Sequence, residues 1–499
     1  MDTTLRDGEQ TEEVSFSLNE KFSIAKKLLT ETKVNRIEIA SARVSVGEKS
    51  SCKQIFDWAK QNSFLDKVEV LGFIDYNLSV DWISSVGGKT INLLCKGSEK
   101  HCIEQLGKQP EQHFIEIQNT IEYAKSKGFT VNAYLEDFSN GIKENSDYVV
   151  AITKVLFESG VMRVMLADTL GVFSPIETQK YVSFMIENFP KKHFDFHAHN
   201  DYGFATANSL QAVLSGCSGI HITVNGLGER AGNASLEQIV PAINDFTSFK
   251  TSVNEKKLSS VSKLVELFSK RRVAKNNPII GEVVFTQTAG IHADGDKKGN
   301  LYKSRLSAKR FGRTTRYTLG KLSGKASIEI TLKQFGIVLE NEQLKQVLKK
   351  VISLGDKKTF VSKEDLLFIV DEIQKNVFEN KFRVINYAIT TKKNSKPKAK
   401  IIVSLNGKIF SAFSYGDGGY NAFINALKKI FKKNKISFPM LLDYEVRIPV
   451  GGRTDALVEA KIIWKRANRR IETIGVSTDQ LEAAIIATEK MVNVILKLK

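Results

Sequence analysis
Along the first 270 residues, short β-branched apolar runs alternate with longer stretches whose apolar positions recur at helical spacing. The runs end near Leu5, Ile39, Phe73, Leu94, Leu135, Leu166, Phe196 and Val224. Between them lie amphipathic segments such as LNEKFSIAKKLL (18–29), with Asn19 or Ser17 as its cap, and SDYVVAITKVLFESG (146–160). Eight strands each followed by a helix predict a (β/α)8 TIM barrel over 1–270, with its chemistry at the carboxyl ends of the strands. A first strand ending just before Asp7 has few residues ahead of it, so a chain start lying further upstream is expected.

The pattern then changes twice. Residues 271–372 mix basic turns with helices such as NEQLKQVLKKVISLG, and predict a helical linker subdomain that covers a barrel mouth. Residues 373–499 alternate FRVINYAITT, KAKIIVSLNG and DYEVRIPV with NAFINALKKIF and DQLEAAIIATEKMVNVILK. That order predicts an α+β domain with its own core, in which TKKNSKPKAK is a turn. A chain of 499 residues is long enough for two or three such domains.

The polar residues that interrupt this pattern gather at strand ends. His197 and His199, in FDFHAHND (194–201), stand two apart and leave one face of a strand, so both imidazoles can reach one divalent cation. Alone, such a pair also describes two satisfied histidines. DTTLRDGEQ offers Asp7 as a third ligand at the end of the first strand, with Arg6 beside it. Glu136 ends the fifth strand in VNAYLED, sharing a face with Tyr134, and serves equally as a general base or as half of an ion pair. Thr169 follows the sixth in MLADTLG; Asn225 and Asn233 follow the eighth. NGLGERAGNA is glycine-rich but lacks the lysine of a phosphate loop; it predicts a tight turn that presents Asn233.

Asp7, His197 and His199 make a mixed oxygen and nitrogen set that suits Zn²⁺, Mn²⁺, Co²⁺ or Mg²⁺. A metal there would chelate a 2-oxo acid and polarise its ketone, with Arg6 stabilising the developing alkoxide and Thr169 bonding the carboxylate.

Composition narrows the class. The formal charge is +18, but the basic runs TKKNSKPKAK and KKIFKKNK, with Phe431 their one aromatic, are not interleaved with aromatics in the manner of a single-strand binding platform, which argues for a solvated surface and against nucleic acid. No apolar stretch approaches the roughly 18–20 residues of a membrane span, and no secretory signal is recognised. The four cysteines form no CxxC or disulfide framework, as expected of a cytoplasmic protein.

Together DTTLRDGEQ, HAHNDYGFATANSL, NGLGERAGNASLE and TAGIHADGDKKG resemble the Claisen-condensing metal enzymes related to isopropylmalate, homocitrate and citramalate synthases. The likeness continues through GDGGYNAF and DYEVRIPVGGRTDALVEA, and is strongest toward the citramalate branch. It implies that Asp7, His197 and His199 ligate the metal, with Asn233 contributing or supporting a fourth position. It implies further that Arg6 polarises the keto group, Thr169 holds the carboxylate, and Glu136 deprotonates the methyl of acetyl-CoA. His292 would be delivered by the linker subdomain of a partner subunit, making a domain-swapped homodimer. An amino-acid effector, isoleucine or leucine, would bind the C-terminal domain near Tyr420, Leu441, Tyr444 and Ile448, although these positions equally suit an ordinary core. Leu71, Leu94 and Tyr134 are the expected acceptor-pocket residues. None is basic, which disfavours a second substrate carboxylate and favours pyruvate, with 2-oxoisovalerate as the alternative. A lyase of the same superfamily and a noncatalytic amino-acid sensor are the readings from other classes.

Overall fold
The computed structural model describes residues 1–287, 295, 298–299, 301, 304–317, 319–333, 337–356, 361, 363–374, 381–447, 458–467 and 469–497. His292 and Ile448 lie outside them. The chain divides into two compact units, one of residues 1–285 with 304–315 and the other of 286–303 with 316–499.

In the first unit seven parallel strands run in sequence order: β1 (Ile37–Ser41), β2 (Val68–Phe73), β3 (Thr90–Lys96), β4 (Thr130–Glu136), β5 (Arg163–Asp168), β6 (His193–Ala198) and β7 (Gly219–Ile220). The eighth place is filled by a single residue. Asp2 bridges Ile37 on one side and Ile222 on the other, both in parallel, and so closes the sheet. The Asp2 amide donates to Arg36 and the Glu38 amide to Asp2, while the Thr3 amide donates to Ile222. This corrects two expected strands. Leu5 lies in a turn in which the amides of Arg6, Asp7 and Gly8 all donate to the Thr3 carbonyl, and Val224 opens a short 3₁₀ turn, Val224–Gly226. In both places the backbone leaves the ladder early, because tight turns carry the residues of the barrel mouth.

The helices follow from local chemistry. The helix Leu18–Lys27 is started by Ser17, not Asn19: the Ser17 amide donates to Glu20 at 2.8 Å, the capping-box arrangement. Asn145 caps Ser146–Glu158 by accepting from the Tyr148 amide. Strands and helices bury one continuous apolar core between them, including Ile24, Ile39, Phe56, Val70, Leu93, Leu135, Leu166 and Phe196.

The barrel interior is unusually polar. Glu38, Glu69, Asn92, Asn132 and Asp195 are fully buried on its inner face. Ionised groups there require partners. Arg36 supplies them at the amino end, reaching Glu69 at 2.9 Å and Asp195 at 2.5 Å.

In the second unit the two-residue strands β8 (Thr286–Gln287) and β9 (Arg316–Tyr317) precede helices Lys325–Lys333, Asn341–Asp356 and Lys363–Ile373, which enclose a small core around Ile328, Val347, Val351 and Leu366. The antiparallel sheet β10 (Phe382–Thr390), β11 (Lys398–Leu405), β12 (Lys408–Tyr415) is followed by helix Gly419–Lys433. The order then repeats: β13 (Met440–Arg447), β14 (Val458–Arg466), β15 (Arg469–Ser477) and helix Gln480–Lys497. Both helices share one apolar core with the sheets, centred on Phe423, Phe431, Trp464 and Met491. Among the described residues no helix is long and apolar enough to cross a membrane.

Candidate active site
Arg6 and Asp7 sit in the turn after the closing bridge, and His197 and His199 at the carboxyl end of β6. His199 forms an antiparallel bridge with Asn233, so the HAHND and NGLGERAGNA runs are paired backbone to backbone. The glycines permit that approach. Gly232 has φ +90°, and a Cβ there would lie 2.0 Å from the Gly226 carbonyl oxygen; one on Gly228 would lie 2.5 Å from the Asn233 side-chain Nδ2. Asn233 thus comes forward, as expected, and its Nδ2 donates to Asp7 Oδ2 at 2.9 Å. Asn225 turns away and donates to the Ser262 carbonyl.

Asp7 Oδ2 lies 3.1 Å from His197 Nε2 and 3.9 Å from His199 Nε2, and the two Nε2 atoms are 3.3 Å apart. Three ligand atoms about 2.0–2.2 Å from a common ion have spacings of this order. Burial opposes charge on Asp7, but Arg6 and the two histidines outweigh it and hold the carboxyl well below its usual range. Burial drives His199 down to about 4, which leaves a neutral imidazole. Asp7, His197 and His199 are all nearly inaccessible, and one carboxylate with two imidazoles is a donor set that a divalent cation takes. Asn233 Oδ1 is buried beside them without a hydrogen-bond partner, a further donor atom awaiting use. The residues fit a metal.

Arg6 is held from behind. Its Nε donates to Glu38 Oε2 at 2.5 Å, its Nη2 to the Tyr134 hydroxyl at 3.1 Å, and its Nη1 lies 3.5 Å from Asp7 Oδ1. Burial alone would weaken its proton, yet Glu38 and Asp7 raise it well above the usual arginine value. Glu38 also accepts from Asn92 Nδ2 at 2.7 Å, and Asn92 in turn from Asn132. Neither Glu38 nor His221, which meets the Tyr134 hydroxyl at 3.1 Å, was anticipated from the sequence. The available signal was a single charged or polar residue inside each apolar run, RIEIA and GIHIT.

Leu94, Tyr134 and Met165 are register neighbours across β3, β4 and β5, and cluster with Leu71 of β2. This apolar surface adjoins Arg6 through Tyr134. Glu136 pairs with Lys96, its register partner on β3. The Thr169 hydroxyl accepts from the Asp137 amide at 2.9 Å, and the Thr169 carbonyl from Arg230, whose guanidinium also binds Asp201.

In the second unit Tyr420 bonds Thr488 at 2.7 Å and its ring centroid lies 5.0 Å from that of Tyr444. A bulge between Leu441 and Asp443 shifts the register, so that Leu441 opposes Trp464 and Tyr444 opposes Ile462. Trp464 and Ile462 share a face, and the bulge therefore brings Leu441 and Tyr444, three residues apart, to that same face.

Residues 1–265 match the HMGL-like family, 279–359 the homocitrate synthase post-HMGL domain-like family, and 360–496 the LeuA allosteric (dimerisation) domain. The chain is 32% identical to (R)-citramalate synthase CimA of Methanocaldococcus jannaschii, covering 99% of each chain. It is 30% identical to 2-isopropylmalate synthase of Oceanobacillus iheyensis and 31% identical to that of Methanocaldococcus jannaschii, over 99% of this chain and 95% and 94% of theirs. The chain belongs to the HMGL-like family and, within it, to the acetyl-CoA-dependent condensing synthases that carry a LeuA dimerisation domain.

Proposed function
We propose that this enzyme condenses acetyl-CoA with pyruvate to give citramalate and CoA, the first step of a pyruvate route to isoleucine. The observation that carries this reading is the uncharged cluster of Leu71, Leu94, Tyr134 and Met165 beside Arg6. The Tyr134 hydroxyl is already engaged by Arg6 and His221, so the cluster offers a methyl group apolar contact and a second carboxylate nothing.

In this reading Asp7, His197 and His199 hold a divalent cation, Mn²⁺, Mg²⁺, Co²⁺ or Zn²⁺, with Asn233 beside Asp7. The bound metal supplies Lewis acidity toward the ketone of the 2-oxo acid. Arg6, fixed by Glu38 and Tyr134, presents Nη hydrogens to the ketone oxygen as it gains charge, and Thr169 donates to the substrate carboxylate. Glu136, paired with Lys96, takes a proton from the acetyl methyl group. The carbanion or enol attacks the ketone carbon. Thioester hydrolysis then releases CoA. His292 from a partner subunit completes the site in a homodimer.

The barrel, 1–270, is the catalytic domain, 271–372 the helical linker, and 373–499 the regulatory domain. Tyr420, Leu441 and Tyr444 belong to an effector site for isoleucine, to which the family resemblance adds Ile448. Four buried free cysteines suit a reducing cytoplasm.

The full-length similarity to 2-isopropylmalate synthases supports a second reading, with 2-oxoisovalerate as acceptor and leucine as effector. Thiol release from acetyl-CoA, with pyruvate or 2-oxoisovalerate and with or without Mn²⁺ or Mg²⁺, separates the two. Metal-dependent release with pyruvate alone is expected. Preference for 2-oxoisovalerate overturns the pyruvate assignment.

A further inference from the structure
The Tyr134 hydroxyl lies 3.1 Å from each of three groups: Arg6 Nη2, Glu38 Oε2 and His221 Nδ1. It has one proton to give. A guanidinium only donates, so the phenol oxygen accepts from Arg6, and the proton goes either to Glu38 or to His221.

The far side of the imidazole decides. His221 Nε2 faces Asp195 Oδ2 at 3.2 Å, and that same oxygen accepts from Arg36 Nη2 at 2.5 Å. A carboxylate oxygen in this role only accepts, so His221 Nε2 carries hydrogen. Asp195 is shared with Arg36 at 2.5 Å and the His221 side chain has no solvent exposure, so burial disfavours a second, charge-bearing proton on the ring. Nδ1 is left as a lone pair. Glu38 is meanwhile engaged at both oxygens, Oε1 by Asn92 and Oε2 by Arg6 Nε.

We propose that His221 is a positioning residue: held in its Nε2–H form by Asp195, it takes the Tyr134 hydroxyl hydrogen and turns the phenol lone pairs toward Arg6. Asp195, His221 and Tyr134 then form one directed chain across the barrel interior that ends on the guanidinium. The role for the condensation rests on Arg6 acting at the ketone; the proton arrangement does not.

Two measurements on the full-length protein test it. In ¹⁵N-histidine spectra at neutral pH, the His221 signals are identified by their loss in His221→Asn. They should show a protonated Nε2 and an unprotonated Nδ1, and the Nδ1 signal should move in Tyr134→Phe, which keeps the ring in place. A protonated Nδ1, or no response to Tyr134→Phe, overturns the proposal.

The second measurement is kinetic. The amide oxygen of His221→Asn falls near the position of Nδ1, whereas that of His221→Gln reaches toward Nε2. His221→Leu and His221→Gln should lower kcat about tenfold, the order of one lost hydrogen bond. His221→Asn should recover most of that loss, and His221→Leu should cost nothing further in a Tyr134→Phe background. Equal losses in all three variants, or additive losses, overturn the positioning role. If the wild type releases no CoA with any 2-oxo acid, the functional reading fails, and the ¹⁵N spectra still decide the tautomer.

Discussion
Glu38 Oε2 receives the Nε hydrogen of Arg6 at 2.5 Å, and the carboxylate is fully buried. A guanidinium so held cannot follow solvent; it keeps one orientation, with one Nη2 hydrogen on Tyr134 and Nη1 beside Asp7. Charge-assisted bonds of this kind are about twice as strong as neutral ones. Glu38→Gln keeps the shape and removes the charge, so the side chain stays in the barrel while Arg6 loses its anchor. We expect kcat to fall roughly 10–100-fold with a smaller change in KM, because Arg6 acts as charge develops. Steady-state kinetics with saturating metal check this. An unchanged kcat sinks the anchoring role.

The metal site makes a separate prediction, readable without turnover. Asp7 bears the only carboxylate in the candidate cluster found among the described residues. Asp7→Asn should abolish saturable Mn²⁺ binding in a calorimetric titration, and His197→Ala should weaken it at least tenfold, as loss of one ligand does. Wild-type protein should also melt at a higher temperature with Mn²⁺, by an amount corresponding to about 2.7 kcal/mol when the free ion is at a hundred times its Kd. Undiminished binding by Asp7→Asn would remove the residue from the ligand set.

Much of this centre was legible because strand periodicity and the barrel rule act together. Two residues of spacing put His197 and His199 on one face, and the carboxyl-end rule brought Asp7 to them. Leu71, Leu94 and Tyr134 were readable as inward positions for the same reason. Barrel closure was not legible, because a strand reduced to Asp2 carries no period at all. Glu38, Asp195 and His221 were hidden differently. Each is a polar residue flanked by apolar neighbours in the sequence, and its meaning depends on partners from other strands, which only the pairing register supplies. The pairing of Glu136 with Lys96 is of the same kind: the two residues are 40 apart in sequence and register partners in space.

Glu237 links the site loop to pH. Both its carboxylate oxygens accept from the Asn225 amide and one from the Ser235 hydroxyl. Burial nevertheless pushes its carboxyl up to about 7. A folded-state value above the unfolded one means that the folded protein holds the proton more tightly. This contribution to stability is therefore fully present below about pH 4.3 and is lost as pH rises through about 7. Glu237→Gln removes the titration. The stability of wild type relative to Glu237→Gln should decline by a few kcal/mol between about pH 4.5 and 7 and then level off. Urea unfolding of both proteins across that window measures it. A constant difference would show that Glu237 does not titrate there.

The acceptor pocket yields the sharpest functional test. Leu71 and Leu94 pack with Tyr134 and Met165, and Leu71 is nearly inaccessible, 6% exposed. Tyr134 cannot be trimmed without disturbing Arg6, whereas the two leucines bond to nothing through their side chains. Leu71→Ala or Leu94→Ala should open room for the two extra methyl groups of 2-oxoisovalerate. Hydrophobic pockets discriminate such groups by about 1–3 kcal/mol, so the ratio of kcat/KM for pyruvate over 2-oxoisovalerate should fall roughly 10–200-fold. The cost in protein stability is about 2–5 kcal/mol for a fully buried leucine, and less for half-buried Leu94, which makes Leu94→Ala the better first variant. Competition between the two acceptors, read as product ratio, keeps the comparison free of differences in folded fraction. A ratio unchanged in both variants would move the specificity determinant away from this cluster.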